Sequence, residues 1–66
     1  MPALTSKMLK VGVEYTGRYH RSTAREIVEL RDGMVYYFER DGHSPTLERS
    51  CAVYQFLLWA GDVKEA

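Results

Sequence analysis

The stretch AREIVELRDGMVYYFERDG, residues 24–42, decides the fold. At its centre Asp32-Gly33 separates two runs rich in β-branched and aromatic residues, the pattern of a two-residue hairpin. A type I′ turn needs positive φ at both central positions, which glycine adopts without steric cost. With that turn Arg31 faces Met34, Leu30 faces Val35, Glu29 faces Tyr36, Val28 faces Tyr37 and Ile27 faces Phe38. Opposed residues share a face of the sheet. One face then holds Val28, Leu30, Val35 and Tyr37; the other holds Ile27, Tyr36 and Phe38, with Arg25, Glu29 and Arg40 around them. Both faces are apolar. A sheet wetted on one side alternates instead, so each face requires a cover: the rest of the chain, a second subunit or a ligand.

Working outward, LKVGVEYTG (residues 9–17) sets Leu9, Val11, Val13 and Tyr15 against Lys10, Gly12 and Glu14. That period of two reads as a half-buried strand closed by Gly17. Residues 1–8 show no clear period and are expected to form a flexible N-terminus, leaving residues 9–66 as one small domain. On the other side HSPTLER (residues 43–49) reads as a loop, since Pro45 excludes a central strand. Ser50 is then placed to cap a helix over CAVYQFLLWA, with Gly61 at its end and Val53, Phe56, Leu57 and Ala60 forming one stripe. A buried strand is the alternative for this run, because short apolar segments are ambiguous by period. The expected fold is α+β: a curled three-stranded antiparallel sheet with a short C-terminal helix packed on it. Its core is expected to include Val11, Val13, Val28, Leu30, Val35, Tyr37, Val53, Phe56 and Leu57.

Composition narrows the function. Sixty-six residues with 45% hydrophobic and 27% charged side chains are globular rather than disordered. A chain this short buries only about 60% of its unfolded surface, so a partner copy is a plausible source of extra core. Nine basic and nine acidic residues cancel, although residues 1–31 carry a net +3 and residues 32–66 a net −3. One cysteine permits no internal disulfide, and no apolar run reaches the roughly 20 residues of a membrane span or resembles a signal peptide. A cytoplasmic protein is expected. His20, His43 and Cys51 are too scattered for a metal site, and no cofactor loop is present. Cys51 at a helix start would be an activated thiol only with a partner base in place; as a small apolar residue it needs none. Glu26 and Glu39 sit among arginines and read as surface charges, so no enzyme is expected.

Two candidate surfaces remain. The segment RYHRSTAR (residues 18–25) gathers Arg18, Tyr19, His20, Arg21 and Arg25 with two hydroxyls. Arginine donates to phosphate in a planar fork and tyrosine stacks on bases, so this loop suits a nucleic-acid contact. Its competing reading is a solvated turn whose arginines pair with Glu14, Glu26 and Glu29. The second surface is the aromatic sheet face, Ile27, Tyr36 and Phe38 with Trp59, of the composition favoured at protein interfaces.

The features VGVEY, EIVELRDGMVYYF and SCAVYQFLLWAG, spanning Val11 to Trp59, resemble small SH3-like barrels and their shorter sheet-plus-helix relatives. The ending with Phe56, Trp59 and Ala60 is also similar to uncharacterised short proteins of phages, plasmids and bacteria. The SH3-like resemblance implies an adaptor without catalytic activity. The expected function is a small cytoplasmic interaction module that binds a protein partner, or itself, through Ile27, Tyr36, Phe38 and Trp59. The alternative is a nucleic-acid-binding accessory protein using Arg18, Tyr19, His20, Arg21 and Arg25.

Overall fold

The computed structural model describes residues 4–42 and 45–63; residues 1–3 (with Pro2), His43, Ser44 and residues 64–66 lie outside the described residues. The chain is α+β. A 3₁₀ turn (Ser6–Met8) leads to β1 (Glu14–Gly17), β2 (Ala24–Arg31), β3 (Met34–Arg40) and β4 (Leu47–Ala52), then helix α1 (Val53–Trp59) and β5 (Ala60–Val63). The strands form one antiparallel sheet in the order β4-β3-β2-β1-β5, open between its two edges. The described residues contain no helix long and apolar enough to cross a membrane.

The β2–β3 hairpin turns at Asp32 (φ 52°) and Gly33 (φ 74°), and beside it Arg31, Leu30 and Glu29 pair with Met34, Val35 and Tyr36 as the turn dictates. The expected register then breaks. Val28 is an extra residue in a β-bulge, so Ile27 pairs with Tyr37, Glu26 with Phe38 and Arg25 with Glu39. Because side chains alternate with period two, one inserted residue exchanges the faces of everything N-terminal to it. Ile27 therefore leaves the outer face and becomes fully buried beside Tyr37 and Val35, while Val28 is only half-buried.

Five strands replace the expected three, for two local reasons. Pro45 precedes β4 instead of interrupting it, so LERSCA pairs along the free edge of β3, from Glu39↔Leu47 to Met34↔Ala52. Ser50 and Cys51 are thus strand residues, and the helix begins only at Val53, after Ala52, whose N–H donates to Gln55 Oε1 at 3.4 Å. At the other end Gly61 does not close the helix; the chain extends directly from Ala60 into β5 and pairs with β1.

The core lies between the sheet's inner face and α1. Tyr15, Ile27, Val35 and Phe56 are fully buried, joined by Leu9, Tyr37 and Ala60. The Phe56 ring meets Tyr15, Tyr37 and Trp59 at centroid distances of 5.6, 5.7 and 5.5 Å. Val13, Val53 and Leu57 pack against this cluster as expected, but Val11 (60% exposed) and Leu30 (38%) do not belong to it. The first strand starts later than its alternation suggests, because Gly12, with φ 88°, turns the chain just before it. Of the N-terminal segment expected to be flexible, residues 4–8 are folded back: Leu4 packs on the core, and the Met8 carbonyl accepts the Tyr15 hydroxyl at 2.9 Å.

Candidate functional site

Residues 18–23 form the connection between β1 and β2. Its base is tied by three backbone bonds: Gly17 N–H to the Thr23 carbonyl (3.4 Å), Thr23 N–H to the His20 carbonyl (3.1 Å) and Arg18 N–H to the Trp59 carbonyl (2.7 Å). The tip is left in water. Arg18, Tyr19, His20, Arg21 and Ser22 are all exposed, Tyr19 to 84%.

The glutamates that a solvated turn would use to neutralise these arginines are engaged elsewhere. Arg40 Nη1 lies 3.4 Å from Glu14 and its Nη2 3.1 Å from Glu26, across the outer face of the sheet. Glu29 is 3.6 Å from Arg31, whose guanidinium also donates to the Tyr36 hydroxyl at 3.2 Å. Glu39 receives Arg25 at 2.9 Å and Arg49 at 3.5 Å. Four of the six arginines are thereby ion-paired, and the two that make no ion pair among the described residues, Arg18 and Arg21, stand three positions apart in the exposed loop.

Arg25 does not join them. The shifted register turns it to the inner side, where its side chain is only 17% exposed. Its Nε donates to Glu39 Oε1, and its guanidinium carbon lies 4.0 Å from the centroid of Trp59 and 4.6 Å from that of Tyr37. A guanidinium held over two aromatic faces with a carboxylate at its edge has both its charge and its planar faces satisfied. Arg25 is therefore a packed residue, removed from the phosphate-facing set that sequence position suggested.

The aromatic set separates in the same way. Tyr36 and Phe38 are half-buried on the outer face, with Glu26 and Glu48 on either side of Phe38. Ile27 is core, and Trp59 packs on the inner side against Phe56, so the four residues form no common surface. Trp59 has contacts the sequence concealed: the only tryptophan of the chain accepts the Arg18 N–H at the base of the loop and packs on Phe56 and Arg25. Gly17 was the available signal, since a Cβ there would lie 2.8 Å from Trp59 Nε1 and 2.9 Å from the His20 carbonyl oxygen.

Cys51 is half-buried on the inner side, opposite Val35. Burial pushes its thiol above the ordinary value, partly offset by the Arg25 charge and a hydrogen bond with Tyr37. That is the reverse of nucleophile activation. Among the described residues there is no group of three or more His, Cys, Asp or Glu side chains that could hold a metal ion. No family model, curated protein or solved structure matches the chain.

Proposed function

We propose that the chain is a non-catalytic cytoplasmic binding module that contacts the phosphate backbone of single-stranded nucleic acid through its β1–β2 loop. The observation that carries this reading is the exposed pair Arg18 and Arg21, which make no ion pair among the described residues, beside the exposed ring of Tyr19. Two guanidinium forks supply phosphate donors, Tyr19 and His20 offer rings for stacking, and Ser22 adds a hydroxyl donor. The meander β1–β4, with β5 added beside β1, is one hydrogen-bonded seam (β4 to β5) short of a closed five-stranded barrel. That supports reading the fold as SH3-like.

The test is titration with short single-stranded DNA and RNA, followed by Trp59 fluorescence and amide NMR. With two phosphate contacts, log affinity falls against log salt with a slope of about −1.4, or roughly sevenfold weakening between about 50 and 200 mM. Shifts centre on residues 18–23, and an R18A/R21A double variant removes both binding and slope. Absence of salt-sensitive shifts in this loop rejects the proposal.

A second reading rests on Tyr36 and Phe38, which stand on a sheet face that no other described element covers. A protein partner, or a second copy, on that face would bind with little salt dependence, and Phe38→Ala would weaken it.

A further inference from the structure

RYHRSTAR begins and ends on one residue. Arg18, its first member, donates its backbone N–H to the Trp59 carbonyl at 2.7 Å; Arg25, its last, lays its guanidinium 4.0 Å from the Trp59 ring centroid. Just before Arg18, Gly17 lies against the edge of the same indole, and only the absence of a Cβ admits this approach. Trp59 is itself fixed from behind by Phe56, at a ring distance of 5.5 Å, and by its place at the junction of α1 and β5. Arg25 is held in turn by Glu39 on β3 and by the face of Tyr37. The two ends of the loop thus converge on a clamp of Trp59, Arg25, Glu39 and Tyr37, drawn from α1, β2 and β3, while residues between them make no comparable side-chain contact among those described.

We infer that this clamp positions the β1–β2 loop for its ligand: Arg18 and Arg21 touch the anion, and Arg25 acts on binding only through Trp59. The inference rests on the proposed nucleic-acid reading for its functional consequence, and on the geometry of the unliganded chain for its mechanism. A loop tethered at one end only samples more conformations, and a ligand that needs one of them binds more weakly in proportion to its population. Arg25 is a positioning residue in this scheme. A lysine in its place keeps the charge but lacks the planar fork that stacks between rings and pairs with a carboxylate along one edge.

Salt dependence separates the two roles, because each phosphate contact contributes about 0.7 to the slope of log affinity against log salt for a single strand. The experiment compares wild type, R18A, R25Q and R25K in two arms. In the free protein, amide NMR and hydrogen exchange follow residues 18–23, with the amides of Tyr15, Ile27, Val35 and Phe56 reporting that the fold is retained. Against a fluorescein-labelled oligothymidylate, affinity is measured across a series of salt concentrations.

The expected result is that R25Q and R25K loosen the loop amides and speed exchange at Arg18, with the core amides unmoved. If the competent loop conformer falls to about a tenth, R25Q weakens binding about tenfold with an unchanged slope. R18A instead lowers the slope by about 0.7. A reduced slope in R25Q would make Arg25 a phosphate contact and overturn the inference, as would loop amides that ignore both substitutions. Should R25Q not fold, R25K still decides the free-protein arm. If wild type fails to bind the oligonucleotide, the proposed function falls, and the loop amides still decide whether the clamp positions the loop.

Discussion

Replacing Phe56 by leucine isolates what the aromatic cluster contributes. The ring is fully buried and makes three tilted or edge-on contacts, with Tyr15 at 89°, Tyr37 at 65° and Trp59 at 59° between planes. Leucine keeps most of the apolar area but none of the ring geometry. Each aromatic pair contributes about 0.5–1.5 kcal/mol beyond area burial, so the loss is about 2–3 kcal/mol once the pairs share strain relief. A chain of this length has a total stability of about 3–10 kcal/mol. Phe56→Leu therefore stays folded with its melting temperature lowered by roughly 10–20 °C, whereas Phe56→Ala, at about 3–5 kcal/mol before any ring contribution, leaves little folded protein. Urea denaturation followed by Trp59 fluorescence measures this directly, since no other tryptophan contributes. The midpoint should fall with the slope unchanged. A loss below about 1 kcal/mol would refute the reasoning, because the helix would then be held by area alone.

Three further perturbations have defined outcomes. Ala52 caps α1 with extended dihedrals and no side-chain bond, so Ala52→Ser should complete a capping box with Gln55 and raise stability by about 1 kcal/mol in the same urea assay. Gly17→Ala places a methyl 2.8 Å from Trp59 Nε1; overpacking of this kind costs about 1–3 kcal/mol, and the emission of Trp59 should shift as the indole leaves its seat. Burial raises the pKa of Cys51 from 9.0 and of Tyr37 from 10.0. Their contribution to stability is fully present below those unfolded values and is lost as pH rises through the higher folded ones. The urea midpoint should therefore fall on the alkaline side, and a C51A/Y37F variant should flatten that fall.

The parts of the fold that depend on local chemistry were legible in the sequence. Asp32-Gly33 makes the turn it encodes, and the residues nearest it pair as its geometry requires. Of the expected helical stripe, Val53, Phe56 and Leu57 do lie on the helix and pack into the core, while Ala60 is buried as the first residue of β5. What could not be read is non-local. Leu47–Ala52 has a charged, alternating pattern with no apolar face of its own, and it becomes a strand because β3 presents a free edge to it. Ala60–Val63 is too short to show a period, and it is a strand because the chain leaves α1 beside β1. Neither pairing leaves a trace in the segment's own composition, since backbone groups of the neighbouring strand supply the stabilisation.

The candidate site hinges on a single unpaired residue. In a regular hairpin Arg25 would oppose Arg40, sharing the outer face with Tyr36 and Phe38. The bulge at Val28 places it opposite Glu39 instead and turns it inward, toward Tyr37 and Trp59. The same step carries Ile27 into the core, which breaks up the expected aromatic face. It also leaves Arg40 outside, where Glu14 and Glu26 pair with it and so become engaged away from the loop. One inserted residue thus accounts together for the burial of Ile27, for the inward arginine and for the engagement of Glu14 and Glu26 away from Arg18 and Arg21. Bulges of this sort follow from strand curvature and tertiary fit rather than from a residue signature, since Val28 is an ordinary strand former. The chemistry of RYHRSTAR was visible as composition. Its division into two arginines for solvent and one for the clamp was set by a register that only the folded sheet determines.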